Sequence, residues 1–479
     1  MLRTGAAEVA PRFWILILTV VCWTPRACRR HAWFPRIAAL QLDRDTTMST
    51  VNKPEKRASR PTDTATQTPA RPQARPAETP RELAKPARGM RLVSLDAYRG
   101  FIMLAMASAG FRIAEVARQP EFADSRVWQF LKYQTDHVAW TGCSFWDLIQ
   151  PSFMFMVGVA MAYSYASREA RGESYAWMFG HAVYRSLVLV ALGVFLSSNW
   201  SPHTNFIFTN VLCQIGLGYT FLFLLWNRPA WVQLAAAALV LAADWGLFYA
   251  YPTPPPDFDY AAVGVPEGPY LTGLAAHWDK NTNAAAAADR VFLNWFPREK
   301  PLKPNEGGYT TLNFLPSLAT MIFGLVTGGL MRTAWRPMAK LAVLVVWGGA
   351  SLAAGWMLDH YGICPSVKRI WTPSWALFST GWALWMLAGF YLLVDIAGFR
   401  RAVWPLVVVG MNSIAVYCMS QLLGGWTAET LKRHLGDGIF TLYGLFDPVY
   451  SPIVRMVLVL LTFWLVCVWL WRQRIFIRI

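Results

Sequence analysis

From Arg91 onward the chain alternates between long apolar runs and short polar interruptions. Ten runs lie near 97–117, 145–167, 180–198, 205–226, 231–250, 311–331, 338–357, 374–396, 403–424 and 452–472. Each is about 20 residues long, the length a helix needs to cross the hydrocarbon of a bilayer. Lipid offers no partner for an unpaired backbone N–H or C=O, so every run is predicted to be helical. The predicted fold class is therefore all-α, a polytopic integral membrane protein. It has about ten transmembrane helices, carried by residues 91–479, and one long extracytoplasmic loop, 251–310.

The pattern changes upstream. Residues 48–90 are rich in Pro, Thr, Ala, Arg and Lys and hold almost no large apolar side chain. Such a segment buries too little surface to offset its ordering entropy and is expected to be a disordered cytoplasmic tail. Before it stands one apolar run, Phe13 to Trp23, preceded by Arg3 and Arg12. It is too short to span a bilayer and looks like the core of a signal peptide. We read residues 1–47 as an extension upstream of the true start, at Met48 or Met90.

Composition agrees with the membrane reading. Hydrophobic residues make up 55% of the chain and charged residues 15%, where a soluble protein is nearer a quarter charged. With 25 Trp and 28 Phe, the apolar content also excludes disordered, collagen-like and disulfide-scaffold classes. The net charge of +16 resembles that of a nucleic-acid binder, but its placement does not. Eleven Lys/Arg fall between Met48 and Gly100, and most others sit in short loops beside apolar runs, where basic residues orient helices. The expected partner is the lipid bilayer, not nucleic acid. With the basic tail inside, Arg168 and Arg171, Arg228, Arg332, Arg336 and Lys340, Arg400 and Arg401, and Arg472 and Arg474 all fall on the cytoplasmic side. Both termini are then cytoplasmic. Seven Cys show no CxxC or metal-ligand spacing and read as small core residues, so no metal is expected.

Polar groups inside apolar runs are costly and mark candidate sites. They are densest between the first two runs, in Asp136-His137-Val138-Ala139-Trp140-Thr141-Gly142-Cys143-Ser144-Phe145-Trp146-Asp147-Leu148. Ser144 suits the N-cap of the second helix, and Asp147 falls in its first turn, where the helix dipole favours a carboxylate. His137 precedes it in a loop able to fold back, and imidazole takes and returns a proton near neutral pH. The plainer alternative makes His137 and Trp140 interfacial anchors and Asp147 a cap. Asn210 and Gln214 share a helix face, while Asp244 and Asn412 interrupt other apolar runs; each also suits a role as interhelical glue. Gly324 and Gly328 form a GxxxG that predicts close helix packing. The long loop holds Tyr270, His277-Trp278-Asp279-Lys280-Asn281 and Asn305-Glu306-Gly307-Gly308-Tyr309. That content suits a sugar platform and a folded cap equally.

Several segments resemble the heparan-α-glucosaminide N-acetyltransferase family and its bacterial relatives. They are Arg91-Leu-Val-Ser-Leu-Asp96-Ala-Tyr-Arg99-Gly100; His137-x-x-Trp140-x-Gly142 with Asp147-Leu148, Pro151 and Phe155-Met-Val-Gly158; and Gln214-Ile-Gly216. Lys368-Arg-Ile-Trp371-Thr372-Pro-Ser374, Gly410-Met411-Asn412 and the ending Trp471-Arg-Gln-Arg-Ile-Phe476 complete an ordered set. The resemblance implies transfer of an acetyl group from cytoplasmic acetyl-CoA, the donor substrate, to an amine or hydroxyl of an extracytoplasmic sugar or glycan acceptor. His137 becomes the catalytic residue, oriented by Asp147. Trp140, Asn210, Gln214, Asp244, Lys368, Trp371 and Asn412 become substrate- or thioester-binding residues, and Arg168, Arg171, Arg332 and Arg336 hold the coenzyme phosphates. Gly110 stands where animal members carry an Asn that assists the His. The implied location is a bacterial inner membrane, with a homodimer among the possible assemblies. The competing class is a transporter or flippase for a sugar or lipid-linked intermediate, its polar stripe lining a conduit. No inverted repeat in the chain supports that class.

Overall fold

A computed structural model describes residues 92–199, 201–266, 268, 270–298 and 302–477. The expectations for residues 1–47 and 48–90 lie outside the described residues. Within them the main helices are α1 (Val93–Ala107), α2 (Arg126–Thr135), α3 (Ile149–Glu169), α4 (Tyr175–Ser197), α5 (Val211–Leu225), α6 (Ala230–Ala250) and α7 (Ala284–Phe292). They continue as α8 (Phe314–Arg332), α9 (Pro337–His360), α10 (Pro373–Phe390), α11 (Trp404–Met411), α12 (Ser413–Leu435) and α13 (Ser451–Arg472). Among the described residues, seven helical segments are long and apolar enough to cross a membrane, and two bent pairs raise that to nine. The 15-residue apolar α5 occupies the place of the fourth predicted run. The protein is an all-helical integral membrane protein.

The two bent pairs depart from the straight spans that hydropathy predicts. The first bends by 43° just after α1. Ala109, Gly110, Phe111 and Arg112 there all take positive φ, from 45° to 65°. The left-handed region costs a non-glycine residue about 1–2 kcal/mol, so tertiary packing must hold this turn. Gly110 lies against the Thr135 carbonyl, leaving no room for a Cβ. The second break, 80° between α11 and α12, falls at Asn412. Its side-chain amide donates to the Ile475 carbonyl and its Oδ1 accepts from the Ile477 N–H, so the C-terminal segment substitutes for the interrupted helix bonds.

Helices α3 and α8 form the buried centre, α8 packing on α3, α6 and α5. The predicted GxxxG packing is found there. Gly324 of α8 sits on the Phe155 carbonyl, Gly328 on Val159, and reciprocally Gly158 of α3 sits on the Met321 carbonyl. Any Cβ at these positions would clash with backbone. By contrast α9 and α13 leave most of their apolar surface outside the bundle, as lipid-facing helices do.

The described residues of the 251–310 loop are folded, as the cap reading expects. The loop contains α7 and several single turns, and its Trp278, Ala284 and Ala285 share a small core with Phe248 of α6 and with Cys364, Val367 and Ile370 of the loop before α10. This core places the cap at the same end of the bundle as the N-terminus of α3.

Candidate active site

The site is assembled where the segment before α3 meets the loop before α10. Ser144 and Asp147 bind each other: the Asp147 N–H donates to Ser144 Oγ at 3.3 Å, and the Ser144 N–H donates to Asp147 Oδ2 at 3.2 Å. The two bonds close the turn that leads into α3; Phe145 precedes the single turn Trp146–Leu148 and Leu148 precedes α3, so Ser144 is not the N-cap that the sequence predicts. The same Oδ2 accepts the Ser144 hydroxyl at 2.9 Å and the Val138 N–H at 3.3 Å. The other oxygen, Oδ1, lies 2.7 Å from His137 Nδ1 and 3.3 Å from Lys368 Nζ. The Asp147 side chain is 1% exposed, and both its oxygens are engaged.

His137 is reached from the opposite direction by Lys368, whose Nζ lies 3.0 Å from Nδ1 across 231 residues of sequence. Backbone holds the two segments together. Thr141 and Val367 form an antiparallel bridge, and the Gly142 N–H donates to the Ser366 carbonyl at 3.0 Å. Arg369 adds a clamp, donating to the Gly307 carbonyl at 2.8 Å and to the Val138 carbonyl at 3.1 Å. The Lys368 side chain is 5% exposed. Burial pulls its ammonium down to about 8, against the attraction of the Asp147 carboxylate, which favours the charged form. Burial and the same carboxylate push the nearby Cys143 thiol up to about 12, which leaves it an unreactive neighbour.

These contacts dictate one tautomer. A carboxylate oxygen at 2.7 Å requires a proton on Nδ1, so Lys368 then bonds to Asp147 and not to the ring. In the neutral ring Nε2 then carries the lone pair; it has no hydrogen-bond partner among the described residues and belongs to a side chain 34% exposed. The arrangement is an imidazole oriented by a carboxylate, with its second nitrogen unengaged among the described residues.

The remaining sequence-predicted residues fall in separate places. The Trp140 indole donates to the Trp278 carbonyl at 3.1 Å and seats the cap beside His137. Trp371 is fully buried at φ 52°, its indole donating to Thr320 Oγ1 at 3.2 Å. The Asn210 amide is committed to the Gly193 carbonyl and Ser197 Oγ, and Asn210 Oδ1 caps α5 by accepting the Cys213 N–H at 3.0 Å. The Gln214 amide donates to carbonyls of Phe208, Thr310 and Thr311. Asn412 serves the C-terminal segment, as described above. Asp244 is buried on α6, with no partner for Oδ2 among the described residues. At the far end of α3, about 30 Å from Asp147 by helix rise, Arg168 and Arg171 both pair with Glu173. Arg332 and Arg336 have no ion-pair partner among the described residues. No group of three or more His, Cys, Asp or Glu among the described residues is placed to hold a metal ion.

Arg369 escaped the residue-by-residue reading, and Tyr309 enters it only as part of the long loop's sugar-platform or cap content. Arg369 is a silent neighbour of Lys368 in the sequence, and only the fold shows its clamp. Tyr309 lies in the cap with its ring 6.0 Å from Lys368 Nζ and 5.6 Å from the Arg369 guanidinium carbon.

The family model for heparan-alpha-glucosaminide N-acetyltransferase, catalytic, matches residues 91–359, more than half of the chain. The chain belongs to this family. Curated relatives carry the same name. The heparan-alpha-glucosaminide N-acetyltransferase of Homo sapiens is 24% identical over 375 residues, covering 68% of this chain and 52% of the relative. That of Mus musculus is 23% identical over 384 residues, covering 70% and 54%. The chain thus spans about half the length of the curated relatives it matches. Within the heparan-alpha-glucosaminide N-acetyltransferase match lie His137, Asp147 and the cap; Lys368 lies nine residues beyond its end.

Proposed function

We propose that the protein is a membrane-embedded acetyltransferase. It takes acetyl from acetyl-CoA at the cytoplasmic face and delivers it to an amine or hydroxyl of a sugar at the face carrying the cap, with both termini cytoplasmic. The observation that carries this reading is the His137–Asp147 pair, in a chain whose family name is that of an acetyltransferase.

Asp147 holds the imidazole with Nε2 unprotonated. An acceptor amine or hydroxyl binding at Nε2 gives up its proton as its N or O attacks the thioester carbonyl; the C–S bond breaks, and the coenzyme thiolate leaves to be protonated. The alternative route has Nε2 attack first and carry the acetyl group before the acceptor receives it. Lys368 supplies the nearest positive charge, both for the imidazolium–carboxylate couple and for an oxyanion forming beside it. The amide groups of Asn210 and Gln214 are already committed to backbone, which favours the lysine for that task. Arg332 and Arg336, rather than the Glu173-bound Arg168 and Arg171, suit the coenzyme phosphates.

The test uses purified protein with acetyl-CoA and glucosamine. His137→Ala, inserted and folded like wild type, is expected to lose transfer. An unchanged rate would refute the mechanism, and acetylated protein trapped without acceptor would select the covalent route. Cysteine labelling at position 137 from outside intact cells checks the orientation.

A further inference from the structure

Arg369 reaches both the segment that carries His137 and the cap, and has no part of its own in the transfer steps. We propose that Arg369 is a positioning residue for His137, one that makes the setting of the base depend on the seated cap. This inference rests on the acetyltransferase reading and adds to it a residue that acts through the base without touching the substrate.

The link starts at Val138, the residue after His137. Its N–H donates to Asp147 Oδ2 at 3.3 Å, and its carbonyl accepts from Arg369 Nη2 at 3.1 Å. The backbone next to the imidazole is thus held at both its polar groups, one of them by the acid that orients the ring. The other arm of the guanidinium donates to the Gly307 carbonyl of the cap at 2.8 Å. Tyr309, two residues on, lies beneath the same group, its ring centroid 5.6 Å from the guanidinium carbon. A planar fork can serve two carbonyls at once, and a single ammonium cannot.

The cap end of the link is firmly built. Asn281, 2% exposed, donates to the Asn305 and Val263 carbonyls, and the Gly308 N–H closes a turn on the Asn305 carbonyl at 2.8 Å. Gly308 also approaches Trp140 too closely to carry a Cβ, and the Trp140 indole donates to the Trp278 carbonyl at 3.1 Å. The segment 137–142 therefore meets the cap at Trp140 and, through Arg369, at Val138. Its pairing with the loop before α10 is made at Thr141 and Gly142, which leaves the Val138 carbonyl to the guanidinium. Lifting the 305–309 turn would take one acceptor from the fork and loosen its hold on the other. A displacement of about 1 Å at a reacting group can cost about 10²-fold in rate, so the link has a measurable consequence.

Hydrogen exchange on the purified protein without substrates reads the link apart from the chemistry. Arg369→Gln is expected to speed amide exchange by roughly tenfold or more in both peptides it joins, 137–142 and 305–309, and to leave α8 unchanged. Faster exchange in only one of the two would overturn the proposal. In the transfer assay with glucosamine, Arg369→Gln should lower kcat by about 10- to 100-fold and keep KM for acetyl-CoA within about twofold. Arg369→Lys retains the charge and loses the fork, so its kcat should stay low. Recovery to the wild-type value would show that the residue supplies charge and not position. Asn281→Ala, whose lost bonds lie within the cap, should lower kcat in the wild-type background and add nothing in the Arg369→Gln protein; additive losses would sever the cap from the base. If the wild-type protein transfers acetyl to no sugar, the enzyme reading fails, and the exchange result still decides whether Arg369 ties the cap to the His137 segment.

Discussion

Among the described residues, a histidine contacts a charged side chain near each end of α3, and the two differ in which ring nitrogen is occupied. At one end His181 Nε2 lies 2.8 Å from an Arg168 guanidinium nitrogen. A guanidinium only donates, so Nε2 must accept, and the proton sits on Nδ1. The lone pair that a base needs is thereby taken. At the other end a carboxylate faces His137 Nδ1, which leaves Nε2 open. The acids differ as well. Glu173 is 22% exposed and shared by Arg168 and Arg171 around a surface turn, while Asp147 is 1% exposed with both oxygens engaged. A histidine beside charges is thus not by itself a base; the polarity of its neighbour decides.

The sharpest way to break this contrast is to remove each ring. His137→Ala should lower acetyl transfer by about 10²–10⁴, the usual worth of a positioned base, whereas His181→Ala should leave the rate within about twofold. Comparable losses from both would show that the open lone pair is not what matters. Next in size is Asp147→Asn, which leaves the buried Lys368 uncompensated. Removing one partner of a buried pair costs about 3–5 kcal/mol, so a large fall in detergent thermostability is expected together with slowed transfer. Thermal unfolding followed by size-exclusion chromatography measures it.

How much of this was legible in the sequence follows from where each partner lies. The run of spans and their order could be read because lipid forces helicity wherever about 20 apolar residues occur. His137 and Asp147 were legible as a pair because ten residues and one helix start separate them. The bends could not be read, since a left-handed turn at 109–112 and an amide reaching residues 475 and 477 are tertiary facts. Lys368 was visible through its motif, but its ion pair was not, because nothing local relates residues 231 apart. The Arg369 clamp and its contact with Tyr309 depend on a loop folding over residues from three separate parts of the chain.

Protonation offers a finer test. The Lys368 ammonium titrates near 8 in the fold and near 10.5 when exposed. Its depressed value means that the unfolded chain holds the extra proton between those limits, so this group's contribution to stability improves as pH rises from about 8 to about 10.5. Transfer should decline over the first part of the same interval, as the charge beside Asp147 disappears. Lys368→Gln is expected to flatten both trends, and parallel melting and rate profiles from pH 7 to 10 would show it. The smallest effect belongs to the far end. Glu173→Gln removes a solvent-facing pair, and such pairs contribute about 0–1 kcal/mol. Its melting temperature should hardly move, and its transfer rate should match wild type. A strong loss of activity there would mean that the turn at 170–174 takes part in donor entry.

The antiparallel bridge between Thr141 and Val367 carries a practical consequence for anyone dividing this protein into pieces. His137 and Asp147 come from one side of that seam, and Lys368 comes from the other. A shortened version stopping at Asp359, where the family match ends, would hold two of the three side chains and none of the stitching that brings in the third.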